Sequence, residues 1–94
     1  MGKNPEIVRV LKICNKRGLH ARASAKFVQI AEKYDAQILV SKDGHVVGGT
    51  SIMGLMMLAA GNGCEIRVTV SGRQSDEALD ELQNLVDRRF DEAE

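Results

Sequence analysis

Apolar and polar residues alternate along residues 6–14, where Ile7, Leu11 and Ile13 share one face, interrupted by Arg9, and Val8, Val10 and Lys12 share the other. A period of two is the signature of a strand with one buried face. The same alternation runs through residues 36–41. It is cleanest across 64–71, where Ile66, Val68 and Val70 interleave with Glu65, Arg67 and Thr69. Asp43-Gly44 separates the second strand from Val46-Val47. That dipeptide favours a tight hairpin, because both central residues of a type I′ turn need positive φ. Other stretches change period. In residues 21–34, Ala23, Phe27, Ile30, Ala31 and Tyr34 recur at helical spacing, with Lys26, Gln29, Glu32 and Lys33 on the wetter side. Residues 75–90 repeat the pattern with Ala78, Leu79, Leu82, Leu85, Val86 and Phe90, preceded by Ser75 as a cap and by Asp76 and Glu77, which suit a helix N-terminus. Between them, Thr50-Ser51 opens a short apolar helix over residues 52–60, which Gly61-Asn62-Gly63 stops.

The predicted order is strand, helix, strand, strand, helix, strand, helix. A single amphipathic sheet with the helices on one face buries all these stripes at once, which makes an α+β protein in two layers. Asn15-Lys16-Arg17-Gly18 and Gly72-Arg73 read as turns, and the last residues, Asp91-Glu92-Ala93-Glu94, as a polar, frayed tail. No linker, repeat or low-complexity segment divides the chain, so residues 1–94 are expected to form one domain.

Composition narrows the function. The apolar fraction of 44% suits a folded chain, and with Phe27, Phe90 and Tyr34 as its aromatics the core must be aliphatic. Thirteen basic and thirteen acidic residues cancel. Nucleic-acid binding draws on a basic excess, so the balance points instead to a protein partner or a small ligand. The two cysteines, Cys14 and Cys64, are too few for a disulfide scaffold. No apolar signal region opens the chain, residues 1–6 fail the myristoylation pattern, and no stretch reaches the about 18 apolar residues of a membrane span. A cytoplasmic protein with reduced thiols and no membrane insertion is expected, a monomer because no feature demands an oligomer.

The chemistry concentrates at Gly18-Leu19-His20-Ala21-Arg22. His20 falls where the first helix begins, facing unpaired backbone N–H groups and the positive end of the helix dipole. That field disfavours imidazolium and leaves the ring a neutral nucleophile. The same N–H groups attract an anion, and Arg22 can add charge-assisted hydrogen bonds to its oxygens. On spacing alone, a His that merely starts a helix remains an alternative.

This stretch resembles the active-site motif of the histidine phosphocarrier proteins (HPr) of the bacterial phosphoenolpyruvate-dependent phosphotransferase system. Ser51-Ile52-Met53-Gly54-Leu55-Met56 resembles the regulatory serine motif of that family, at the family's separation. The resemblance runs from about residue 6 to residue 90. It implies a βαββαβα open-faced sandwich, a four-stranded antiparallel sheet with three helices on one face. It further implies a carrier rather than an enzyme, with no cofactor. His20 would take a phosphoryl group on Nδ1 from enzyme I, with Arg22 stabilising it, and pass it to an enzyme IIA protein or domain. Ser51 would be a site for HPr kinase/phosphorylase, and Ile52, Met53 and Met56 would touch enzyme I and enzyme IIA. The alternative within the family is a regulatory phosphoprotein of a nitrogen- or carbon-signalling branch. One departure stands out: Ala23 occupies the place of the family's usual proline, restoring a backbone N–H and loosening the helix start.

The residues around the second motif agree with a contact role. A short helix cannot bury Ile52, Met53, Leu55, Met56, Met57 and Leu58 on one face, and methionine suits a surface that fits several partners. Leu55 and Leu58 are expected in the core. Ser51, as a bare residue, is an N-cap. Cys14, Cys64, His20 and His45 lack metal-ligand spacing, His45 is expected to be solvated, and Arg88-Arg89 to complement the last helix's dipole.

Overall fold

The structure, a computed structural model, describes residues 6–92. The reading of residues 1–5 as free of a signal or lipidation pattern, and of 93–94 as the end of a frayed tail, lies outside the described residues. The elements are β1 (Ile7–Lys12), α1 (Ala21–Lys33), β2 (Gln37–Lys42), β3 (His45–Gly48), α2 (Ile52–Met57), β4 (Glu65–Ser71), α3 (Ser75–Asp87) and a single 3-10 turn (Arg89–Asp91). The four strands form one antiparallel sheet in the order β1-β4-β2-β3. The α+β open-faced sandwich expected from the sequence is the observed architecture.

Strand alternation builds the core. Leu11, Ile38, Val40, Ile66, Val68 and Val70 point from the sheet to the helices, where Phe27, Ile30, Ala31, Leu79, Leu82 and Val86 meet them. Val8 and Val10 lie on the opposite, open face and are half exposed. Arg9, which interrupts the apolar side of β1, reaches α3 instead: its Nη1 donates to Gln83 Oε1 at 2.6 Å and to Asp80 Oδ1 at 3.2 Å. A charge on the helix-facing side is tolerated there because its head meets polar partners at the layer's edge. The hairpin forms as predicted, with Lys42 paired to His45 and positive φ at Asp43 and Gly44, and His45 is exposed.

Three sequence expectations are corrected by tertiary contacts. The second helix ends at Met57, not at residue 60, and Ala59 takes the left-handed conformation expected of a glycine. The early stop lets Ala60 present its carbonyl to the Leu19 N–H at 2.9 Å. Ser75 is the first residue of α3 rather than its cap; its hydroxyl donates to the Gly72 carbonyl, while the side chain of Gln74, at the cap position, accepts from Asp35 N. The last helix stops at Asp87 instead of 90. Arg89, Phe90 and Asp91 all have left-handed φ, reversing the chain so that Phe90 is wholly buried and its carbonyl accepts from Lys26 Nζ at 2.8 Å. Contacts with α1 outweigh the local preference to continue the helix.

A polar cluster ties α1 to α3. Glu81 accepts from Lys33 Nζ at 2.8 and 3.0 Å and from the Tyr34 hydroxyl. The Lys33 and Tyr34 hydrogen bonds hold its carboxyl below the usual carboxylate range, against a smaller opposing effect of burial. A depressed carboxylate pKa stabilises the fold above the unfolded value and loses that contribution as pH falls through the folded value. Glu81→Gln is therefore expected to lower unfolding free energy most at neutral pH. Its difference from wild type should shrink below about pH 4.5 in denaturant titrations across the acid range.

Candidate functional site

His20 stands at the N-cap of α1 with extended backbone, φ −77° and ψ −178°, and its carbonyl accepts the Ser24 N–H at 2.9 Å. The helix therefore begins immediately after it, and the first-turn N–H groups lie beside its backbone as the sequence predicts. Gly18 sets this entry. It has φ +69°, and a Cβ there would lie 2.4 Å from the Ala60 carbonyl oxygen and 2.7 Å from Gly61 Cα. Only a residue without a side chain permits both the turn and the approach. Leu19, buried, bonds Ala60 through its N–H, so the end of α2 abuts the residue preceding His20.

Side chains from three segments line a cavity of about 300 Å³: Lys16 and Arg17 from the loop, His20, Arg22 and Lys26 from α1 and its cap, and Asp91 and Glu92 from the C-terminal turn. Four cations face two carboxylates in a chain whose total charge is zero. Arg22 is exposed and, among the described residues, forms no ion pair. Lys26 is committed to the Phe90 carbonyl, with Asp91 Oδ2 at 3.9 Å. Such an excess of cations at the open start of a helix is an arrangement that attracts anions.

Sequence reasoning missed the residue nearest the ring. His20 Nε2 is in hydrogen-bond contact with Glu92 Oε2, where both side chains are more than four-fifths buried. The tail read as frayed is, at Asp91 and Glu92, part of the site. Asn15, fully buried, donates from Nδ2 to Glu92 Oε1 at 3.1 Å and to the Gly18 carbonyl at 2.9 Å. Burial pushes the Glu92 carboxyl up, but the hydrogen bonds from His20 and Asn15, with the His20 and Arg17 charges, outweigh it and leave the group below the usual carboxylate range. No periodicity links Glu92 or Asn15 to His20; Phe90, an apolar residue in a polar end, was the one available signal of a tail folded back.

The second sequence motif lies on α2. Ser51 is its N-cap, exposed, and its Oγ accepts from Gly54 N at 2.9 Å. Leu55 and Leu58 are buried, whereas Ile52, Met53 and Met56 are exposed. Met57, not singled out from the sequence, is the most open large apolar residue among those described, at 78% exposure. These side chains leave an exposed apolar surface concentrated on one short helix.

Comparison with known proteins identifies the family. The family model described as the PTS HPr component phosphorylation site matches residues 7–88. Phosphocarrier protein HPr of Pseudomonas aeruginosa is 49% identical over 85 residues, which cover 89% of this chain and 94% of the relative. Phosphocarrier protein NPr of Shewanella violacea is 41% identical over 88 residues, 94% of this chain and 97% of the relative. Among solved structures, an HPr from Thermoanaerobacter tengcongensis superposes with a TM-score of 0.88 at 39% identity, covering 94% of this chain and 99% of that one.

Gly18→Ala tests the entry to α1. The methyl group must displace backbone and hold a strained φ, so a loss of about 2 kcal/mol is expected, read as a drop of roughly 8–16 °C in the thermal midpoint.

Proposed function

The chain belongs to the HPr family of phosphotransferase-system phosphocarriers, proteins that carry a phosphoryl group rather than catalyse its chemistry, and from that footing we propose that His20 is its acceptor. The reading rests chiefly on one observation: His20 opens α1 inside a cavity lined by four cations, with Nε2 already engaged by Glu92. Nδ1 is then the nitrogen left to attack phosphorus. Enzyme I is the proposed donor, and an enzyme IIA protein or domain the proposed acceptor. Arg22, uncommitted to any described carboxylate, binds the phosphoryl oxygens and limits charge build-up during transfer. The proposed working form is a single-domain monomer in the cytoplasm. Among the described residues no helix is long and apolar enough to cross a membrane.

The proposed docking surface is α2. Ile52, Met53 and Met56 present an adaptable apolar face, extended by Met57, to partners that must reach His20. Ser51 is the proposed regulatory site. Phosphate at an N-cap is compatible with the helix dipole, so its effect falls on docking rather than on folding. Ala23 in the place of the usual proline bears on rate and partner preference, since the His20 carbonyl bond to Ser24 N is intact. The similarity to an NPr supports a second reading: the same carrier chemistry serving a nitrogen- or carbon-signalling branch. Transfer rates to purified enzyme IIA proteins of each kind separate the two.

Incubation with enzyme I, phosphoenolpyruvate and Mg²⁺ is expected to add one acid-labile phosphoryl group to wild type, detected by intact mass, and none to His20→Ala. An adduct that survives in His20→Ala excludes the assignment. Ser51→Asp is expected to lower acceptance from enzyme I by about tenfold, the scale of one unfavourable interfacial charge, with an unchanged thermal midpoint. Transfer kinetics equal to wild type would remove Ser51 from the docking surface.

A further inference from the structure

We propose that Glu92 is a positioning residue for His20, holding the ring through Nε2–H so that Nδ1 faces the incoming phosphoryl group, and offsetting the positive charge the ring gains as it is phosphorylated. The inference deepens the assignment of His20 as acceptor and rests on it.

The arrangement is held from both ends. Glu92 Oε2 meets His20 Nε2, and Oε1 is fixed by the amide of Asn15, which spends its other N–H on the Gly18 carbonyl. One buried side chain thereby links the loop that sets the helix entry to the carboxylate that orients the ring. The C-terminal turn is anchored by burial of Phe90 and by the Lys26 bond to its carbonyl. A carboxylate below its usual range is ionised at neutral pH and can only accept hydrogen bonds. The proton of a neutral ring must then sit on Nε2, and the lone pair on Nδ1.

The electron balance gives the carboxylate its second role. The Nδ1 lone pair forms the bond to phosphorus as the donor's bond to phosphorus breaks, its electron pair remaining on the donor. The ring keeps its Nε2 proton and becomes a phosphoimidazolium, positive where Glu92 touches it. Donation to the acceptor reverses these changes. A carboxylate that buttresses an imidazole through its distal nitrogen is an established way to hold the tautomer and stabilise the cation. Glu92 also repels the phosphoryl oxygens, but these lie across the ring and are met by the positive groups of Lys16, Arg17, Arg22 and Lys26. The contact on Nε2 therefore outweighs the more distant repulsion. Asp91 carries the remaining nearby negative charge and is paired with Arg88 Nε at 2.8 Å.

Single-turnover acceptance from phosphorylated enzyme I, compared for wild type, Glu92→Gln and Glu92→Ala, tests the role. Glu92→Ala is expected to lose about tenfold in maximal rate, the lower end for a charge-assisted hydrogen bond, with half-saturating donor concentration unchanged. Glu92→Gln, which keeps an acceptor oxygen but no charge, should fall between the two. By proton NMR, a low-field Nε2–H signal should be present in wild type and absent in Glu92→Ala. A residue that merely packs the tail would alter the thermal midpoint while sparing both readouts. A wild-type maximal rate in Glu92→Ala, a loss confined to half-saturation, or a persistent Nε2–H signal overturns the proposal. Wild type that forms no adduct refutes the assignment of His20 itself, before any Glu92 variant is compared.

Discussion

The end of the molecule that holds His20 depends on the contact between Gly18 and the backbone of Ala60 and Gly61. Without a Cβ, residue 18 takes positive φ and lets two loops touch, so that Leu19 N–H can bond Ala60 and the chain can turn directly into α1. His20 inherits its position from that bond, since the helix starts at the next residue. The same bond explains why α2 is short: Ala59 leaves the helix with left-handed φ in order to aim Ala60 at Leu19. The histidine at one helix start and an exposed apolar surface on a neighbouring helix are thus parts of one hydrogen-bonded corner.

Charge and apolarity are divided across this corner. The chain is neutral as a whole, yet the cavity beside His20 gathers four cations, and α2 presents Ile52, Met53, Met56 and Met57 without a charged residue in its span. Positive charge and exposed apolar surface therefore lie side by side without overlapping. A total charge of zero conceals this, because a local field is set within a few ångströms rather than by the sum over the molecule.

Much of the fold is legible in the sequence. Strand alternation and helical spacing gave the seven-element order, and the Asp43-Gly44 turn, the Ser51 cap and His20 at a helix start are where the pattern placed them. What could not be read is what arises between distant segments. Arg9 is a break in a pattern until α3 supplies Gln83. Lys26 belongs by periodicity to a solvated face and in fact anchors the returning C-terminal turn. Asn15 and Glu92 are loop and tail by every local rule, and only folding brings them together. Left-handed backbone at Ala59, Arg89, Phe90 and Asp91 carries no glycine or asparagine to announce it.

That last turn carries a consequence for tolerance to substitution. Three successive residues outside glycine hold left-handed φ, each at a cost of about 1–2 kcal/mol, repaid by the burial of Phe90 and the bonds around it. Branching at Cβ makes this backbone costlier still. Arg89 is open to solvent, yet its backbone narrows the acceptable alphabet: valine, isoleucine and threonine are excluded by shape at a place where surface exposure alone would license almost anything. In this corner of the fold, permissiveness is governed by torsion rather than by accessibility.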